Sequence, residues 1–251
     1  MNILILGGTG AMGIHLTRIL SDRGYECFVT SRTQRCNKDN VTYIQGDAHQ
    51  ASCLIPLLNE KWDAIVDFMI YSTSDFTKLA PFFLKATKQY FFFSSGRVFA
   101  DVGETCITED SPRLLDVCKD TDYLVTDEYA LAKARQEDIL RNSGKKNWTI
   151  VRPYVTYAES RLQLSCMEKE SWLWRAIHHR SIVIAESLAN KVTTYTYGYD
   201  VARSISALIG SEGTLGESFN LTGCEYKTWD EILDIYLSVF EAKMGFKPRV
   251  F

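Results

Sequence analysis

The sequence predicts an α/β fold built on a doubly wound parallel sheet, followed by a smaller C-terminal lobe. Three observations carry this expectation. Strand-length apolar runs alternate with helix-patterned segments through the first 155 residues. The runs are apolar at nearly every position instead of every second one, the mark of strands buried on both faces. The first run breaks into glycines and then resumes with helical spacing, the junction that a βαβ unit requires.

Taken in order, "NILIL" (2–6) is the first strand and 11–23 the first helix. "CFVTS" (27–31) and "VTYIQ" (41–45) follow as strands, then a helix over 50–59. "AIVDFMI" (64–70) is a strand, 75–88 a helix, "YFFFSS" (90–95) a strand, 127–142 a helix and "WTIVRPYV" (148–155) a strand. Beyond Val155 the pattern turns richer in aromatics and charges, as in "EKESWLWRAIHHRSIVIAES" (168–187). "YDVARSISALIG" (199–210) reads as a helix capped by Asp200, "SFNLT" (218–222) as a short strand, and Trp229 to Lys243 as a closing helix. The expected organisation is a domain over 1–155, with a segment near 190–210 returning to it, and a smaller substrate lobe over 156–251.

Composition narrows the function. With 46% apolar residues in 251, the chain can bury a large core. A net charge of -3 supplies no overall basic field, which argues against nucleic acid and anionic membranes as default partners. Seven cysteines (Cys27, Cys36, Cys53, Cys106, Cys118, Cys166 and Cys224) are odd in number and never spaced Cys-x-x-Cys. That usage excludes a disulfide framework and a zinc knuckle, and suits reduced thiols. No apolar stretch is long enough to span a bilayer and the first residues enter a strand directly, so a soluble, cytoplasmic protein is expected. His178 and His179 have no Cys or Asp at ligand spacing, and no metal is assigned.

The stretch "ILILGGTGAMGIHLTRIL" (3–20) carries the first functional signal. Gly7 allows a tight turn, Gly10 lets backbone approach a pyrophosphate, and Gly13 permits close packing of helix on sheet. A helix N-terminus then offers N–H groups and a positive dipole end to phosphate. The turn residues Thr9, Ala11 and Met12 complete this expected dinucleotide cradle, so the fold is of Rossmann type. At the end of the second strand stand Thr30-Ser31-Arg32, where an acid would accept the ribose hydroxyls of NAD. A hydroxyl followed by a guanidinium suits a 2′-phosphate better, so the cofactor is expected to be NAD(P), with NADP preferred through Ser31 and Arg32. Asp47, in "IQGD", is placed either to face an adenine or to hold a turn.

Tyr129 and Lys133, in "YALAK", lie four apart on a helix and share a face. Chance alone supplies roughly 0.7 such pairs in a chain of this composition, so their position must carry the case. A strand ending in hydroxyls, "YFFFSSGRVFAD", precedes them and "NWTIVRPY" follows. Together with the Gly-x-x-Gly-x-x-Gly spacing, these segments resemble the extended short-chain dehydrogenase/reductase superfamily, the NAD-dependent epimerase/dehydratase family. Its Ser-Ser-x-x-Val-Tyr-Gly stretch is matched by Ser94-Ser95-Gly96-Arg97-Val98-Phe99-Ala100, and its Tyr-x-x-x-Lys with a following glutamate by Tyr129, Lys133 and Glu137.

The resemblance implies an NAD(P)-dependent oxidoreductase or epimerase, acting by hydride transfer on a small-molecule substrate such as a nucleotide-sugar. Ser95, Tyr129 and Lys133 are its catalytic group, with Lys133 also on the nicotinamide ribose, Asp47 on the adenine, and a homodimer plausible by analogy. A neighbouring ammonium and a cationic ring both favour the phenolate of a tyrosine whose free pKa lies near 10. Departures from the family are equally legible. Val155 stands where many members have an asparagine for the substrate diphosphate, and Gly96-Arg97 replaces the acidic pair of dehydratases, which disfavours 4,6-dehydration. Arg97 either contacts an anionic substrate or folds outward to solvent. The tail aromatics Trp172, Trp174, Tyr195, Tyr197 and Tyr199 are expected to pack in preference to stacking on a ligand. The chain ends at "GFKPRVF", where a relative would begin another strand, so a shortened substrate lobe is expected. Two other readings remain: an RNA-binding protein, similar to the chloroplast stem-loop-binding branch of the superfamily, and a noncatalytic nicotinamide sensor.

Overall fold

The structure, a computed structural model, describes residues 1–101, 103 and 106–251. Along the chain the elements are β1 (Asn2–Leu6), α1 (Gly13–Asp22), β2 (Glu26–Ser31), β3 (Val41–Gln45), α2 (Ala51–Asn59), β4 (Trp62–Asp67), α3 (Thr73–Ala86) and β5 (Thr87–Phe93). Then come α4 (Leu114–Val117), α5 (Thr121–Leu124), α6 (Tyr129–Arg141), β6 (Trp148–Pro153), β7 (Thr156–Tyr157), α7 (Lys169–Ile177) and α8 (Glu186–Ala189). The chain closes with β8 (Val192–Thr193), β9 (Thr196–Tyr197), α9 (Gly198–Leu208), β10 (Glu217–Leu221), β11 (Lys227–Thr228) and α10 (Trp229–Met244).

Seven strands form one sheet in the order β10-β6-β5-β4-β1-β2-β3, every neighbouring pair parallel. Successive side chains along β1 explain why its residues are all apolar. Ile3 and Ile5 face one core with Val29, Val66, Phe91 and Val151, covered by Leu16 and Leu20 of α1 and by Val201, Ala202 and Ile205 of α9. Leu4 and Leu6 face the other with Ile65, Tyr90 and Phe92, under Leu54 and Leu58 of α2 and Phe76 and Phe83 of α3. Each such side chain contributes about 1.5–3 kcal/mol by leaving water, so burial on both faces holds the layers together. The strand order reverses between β1 and β4, and at such a switch point the carboxyl ends of the strands leave a crevice.

The chain divides into two compact units, one of residues 1–154 and 199–221, the other of 155–198 and 222–251. Residues 199–221 thus return to the first unit, where a returning segment was expected near 190–210. The strand read at "SFNLT" is the sheet's edge strand β10, paired with β6, and not part of the tail's own lobe. The second unit has its own core, where Trp172, Trp229, Leu233, Leu237 and Phe240 are buried and the Trp172 and Tyr236 rings stack at 4.6 Å. Packing therefore accounts for Trp172 and for Tyr195, whose ring meets Trp229. Trp174 is on the surface, stacked on His178.

Local chemistry shifts several boundaries. The strand read over 64–70 stops at Asp67, because the Met69 N–H donates to Asp67 Oδ1 at 3.0 Å and turns the chain out of the sheet. Ser72 Oγ accepts the Asp75 N–H and starts α3 at Thr73, two residues before the expected 75. Asp200 lies inside the first turn of α9 and does not cap it, since the helix already begins at Gly198. Thr228 and Glu231 form a reciprocal capping box on α10. No described helix is long and apolar enough to cross a membrane. All seven cysteines are free.

One buried ion pair ties α6 to the sheet. Arg152 Nε and Nη2 each donate to the Glu137 carboxylate at 2.7 Å, with both residues at most 1% exposed. Arg113 and Arg141 approach the same carboxylate at 3.5 Å, and the Arg152 guanidinium lies 4.9 Å from the Phe99 ring centroid. Burial alone would raise the Glu137 carboxyl, but the Arg152 bonds outweigh it and hold it below the ordinary glutamate range. Its contribution to stability is therefore present at neutral pH and is lost as pH falls through that lowered value. Glu137→Gln leaves a buried guanidinium short of its counter-charge, and urea unfolding at pH 7 is expected to show a loss of about 3–5 kcal/mol. A change under 1 kcal/mol would mean that the pair is not what anchors α6.

Candidate active site

The glycine turn is fixed by steric and hydrogen-bonding constraints together. Gly7 adopts φ 71°, a conformation that side chains rarely take, and its N–H donates to Thr30 Oγ1 at 2.9 Å. A Cβ on Gly13 would lie 2.6 Å from the Gly8 backbone, and one on Gly8 would lie 2.6 Å from Ile5 Cγ2. The close approach allowed by Gly13 is thus to the turn, with Gly8, a residue sequence reasoning passed over, making the contact to the sheet. The doublet in "GGTG" was the available signal. Gly10 differs: a Cβ there would meet only the Gly7 carbonyl, at 3.9 Å, so its outer side is open. Thr9, Ala11 and Met12 are half-buried around it, and Met12 also packs on the core below α1. No side-chain hydrogen bond caps α1 and no acid stands in its first turn. An exposed glycine before an uncapped helix suits a phosphate group.

The ends of β2 and β3 lie beside this turn. Thr30 anchors Gly7, and Ser31, buried, donates its hydroxyl to the Thr33 carbonyl at 2.8 Å while accepting from Arg35 Nε at 3.3 Å. Ser31 is therefore engaged in shaping the loop. Arg32 is exposed, and Asp47, beyond β3, feels its charge. Asp47 Oδ1 accepts the His49 N–H at 3.0 Å and meets the His49 ring at 3.2 Å. These bonds, the backbone one foremost, hold its carboxyl below the usual range.

Tyr129 is the first residue of α6 and Lys133 lies one turn on, with Glu128 capping the helix through the Ala130 N–H. Both line a cavity of about 320 Å³ with Ile70, Tyr71, Ser72, Asp127 and Ala132. Asp127 accepts the Thr73 N–H and hydroxyl, which pins the start of α3 to the segment entering α6. Ser95 is buried at the end of the β5 segment, and its Oγ accepts the Arg97 N–H at 3.2 Å. The Arg97 guanidinium lies 5.5 Å from the Tyr129 ring centroid, so Ser95 and Tyr129 are joined through one residue.

Comparison with known proteins is consistent with this geometry. The sequence model of a family described as NAD(P)H-binding matches residues 7–183, from the glycine turn to beyond the Tyr-Lys helix. The chain belongs to the NAD(P)H-binding family. Among curated proteins it is 22% identical over 244 residues to the chloroplast stem-loop binding protein of 41 kDa b of Arabidopsis thaliana, a match over 91% of this chain and 60% of that protein. The chain thus spans about three fifths of that relative's length. Among solved structures it shares its fold with the epimerase Mth375 from Methanothermobacter thermautotrophicus (TM-score 0.77, 15% identity, 99% of this chain and 78% of that one). It also resembles a UDP-glucuronic acid 4-epimerase from Bacillus cereus solved with UDP-glucuronic acid and NAD (TM-score 0.72, 17% identity, 100% and 85% covered).

Within this NAD(P)H-binding protein, one acidic residue was not singled out from the sequence. Asp67, at the end of β4, is 1% exposed and accepts from Tyr90 Oη at 2.8 Å and from Tyr71 Oη at 3.4 Å. A carboxylate inside an otherwise apolar run, "AIVDF", was the signal. Burial pushes Asp67 up to about 6, against the pull of the tyrosine, backbone and Lys133 partners. Burial likewise pushes the Lys133 ammonium down to about 8, opposed by the Asp67 and Glu137 charges. Lys133 is 2% exposed with its Nζ 4.7 Å from the Phe92 ring centroid. Both groups are almost wholly buried, and each feels the charge of the other. A carboxyl with a raised native pKa costs stability as it ionises, here between pH 4 and about 6. Urea midpoints at pH 4 and pH 7 are expected to show the deficit of Asp67→Asn relative to wild type shrinking as pH rises. A deficit that grows with pH would contradict the assignment.

Proposed function

We propose that this protein is an NAD(P)-dependent epimerase or oxidoreductase of the extended short-chain dehydrogenase type, acting at a carbinol or carbonyl carbon of a nucleotide-sugar. The observation that carries the reading is the opening of Tyr129 and Lys133 onto one cavity at the carboxyl end of β4, in the unit that also holds the open glycine turn. The B. cereus neighbour solved with UDP-glucuronic acid and NAD supports the substrate class. Gly7, Gly10 and the N-terminus of α1 would hold the pyrophosphate, Asp47 the adenine side, and Lys133 the nicotinamide ribose. Arg32, with Arg35 beside Ser31, supports a preference for NADP through the extra phosphate. When bound, the nicotinamide supplies reversible acceptance of a hydride from carbon.

The chain's own residues manage the proton. Tyr129 Oη takes it from the substrate hydroxyl as the carbonyl forms and returns it in the reverse step. Ser95 Oγ already accepts the Arg97 N–H, which leaves its own proton to donate to the same substrate oxygen. The Lys133 ammonium favours the phenolate, and the Asp67 carboxylate favours the ammonium in return. Gly96 fits the departure from dehydratases: a Cβ there would lie 3.0 Å from the Tyr154 ring, so the position directly after Ser95 has little room for an acid.

Tyr129→Phe is expected to retain nicotinamide binding and to lower turnover about 10²- to 10⁴-fold. Full turnover in that variant on a confirmed substrate would end the assignment. A second reading, RNA binding, is not favoured by the 22% identity to the chloroplast stem-loop binding protein. Filter binding across salt concentrations separates the two. Strong, salt-dependent RNA affinity without nicotinamide affinity would support the second reading, and nicotinamide affinity with weak RNA retention the first.

A further inference from the structure

We propose that Arg97 is a specificity residue that reads a carboxylate on the substrate next to the reacting carbon, so that the nucleotide-sugar is of the uronic acid kind. This inference rests on the oxidoreductase reading of Ser95 and Tyr129 and names which members of that substrate class the site takes. Of the two arrangements open at the level of sequence, contact with an anionic substrate or an outward fold into solvent, the tether to Glu128 and the Tyr129 ring favours the first.

Two contacts pin the guanidinium at the site. Its carbon sits 5.5 Å from the Tyr129 ring centroid, and Nη2 donates to Glu128 Oε1 at 2.8 Å. A third contact, the Arg97 N–H to Ser95 Oγ at 3.2 Å, fixes the backbone of the same residue beside the predicted substrate-orienting hydroxyl. Glu128 is itself held by the Tyr123 hydroxyl at 2.8 Å and by its capping bond to the Ala130 N–H. Burial would raise the Glu128 carboxyl, but these donors and the Arg97 charge keep it below the usual range, so the tether stays anionic. The result is a cation held in place on folding, which lowers the entropy lost when it binds a ligand.

The Arg97 side chain remains 58% exposed, and the Glu128 contact uses one of its five N–H donors. A fork of donors is thus available beside the Tyr129 ring. A planar carboxylate matches that fork in two parallel bonds. A doubly charged phosphate fits less well, because the Glu128 carboxylate stands 2.8 Å from the same guanidinium and would repel it. The acidic group must lie within one side chain's reach of the carbinol that Tyr129 and Ser95 address, which is the position of a C6 acid relative to a reacting C4 on a hexose ring.

The test measures calorimetric binding of UDP-glucuronic acid and UDP-glucose, two probes that differ in a carboxylate against a hydroxymethyl group, to the full chain saturated with NADP⁺. Wild type is expected to prefer the uronic acid by about 10- to 100-fold, the worth of a charge-assisted bond pair. In Arg97→Gln the ratio should fall toward one, and Arg97→Lys, which keeps the charge without the fork, should lie between. Equal affinities in wild type, or a preference that survives in Arg97→Gln, would overturn this inference while leaving the oxidoreductase reading in place. Binding of neither probe by a chain that still takes up NADP⁺ would remove the nucleotide-sugar reading and this inference with it.

Discussion

The arrangement of the candidate site depends on a salt bridge that never touches it. Glu137 and Arg152 are bonded twice at 2.7 Å in the dry layer between α6 and β6. Stripping water from two charges is expensive, and such pairs are weak evidence of stability by themselves. Their strength here is positional. A twofold bond fixes the rotation of α6 about its axis as well as its distance from the sheet. Lys133 stands one turn before Glu137 and Tyr129 one turn before that, so the orientation of Glu137 sets where the ammonium and the phenol point. The neighbouring Arg113, bonded to Asp138 at 2.8 Å, holds the same helix from its flank.

A second constraint acts at the other side of the crevice through the absence of side chains. Gly8 and Gly13 meet backbone to backbone, and Thr30 ties the Gly7 N–H to β2. These contacts draw the start of α1 against the carboxyl end of β1, one strand away from Asp67 at the end of β4. Parallel order then does the rest. Because β1, β4 and β5 are adjacent and point the same way, whatever follows each of them converges at one end of the sheet. The loop after β1 provides the phosphate-suited turn, the end of β4 and the segment after it provide Asp67 and Tyr71, and the segment after β5 provides Ser95 and Arg97.

Much of this was legible because buried parallel strands and glycine turns write themselves in residue type. The alternation of runs marked β1 to β6, and the tight turn expected at Gly7, directly after β1, is seen in its positive φ. The pairing of Tyr129 with Lys133 on α6 followed from spacing of four. Less legible were features that depend on partners distant in sequence. Asp67 looked like one polar letter in a strand, and only the Tyr90 and Tyr71 hydroxyls, 23 and 4 residues away, make its burial tolerable. Arg97 could not be placed without Glu128, 31 residues on. The edge strand β10 was visible as a strand, but its membership in the main sheet is a matter of long-range pairing with β6 that local pattern does not encode. Asp200 illustrates the converse error: a good capping residue was present, while the helix began two residues earlier at Gly198.

The central claim is that the Tyr129 phenol, steadied by Lys133, faces the place where a nicotinamide and a carbinol meet. The most direct measurement is a crystal structure of the full chain with NADP⁺ and a nucleotide-sugar. The account predicts the Tyr129 Oη and Ser95 Oγ within about 3 Å of one substrate oxygen, with the diphosphate of the cofactor on the amides around Gly10. A cofactor seated with its ring away from the Tyr129 cavity, or a substrate oxygen beyond the reach of both hydroxyls, would contradict it.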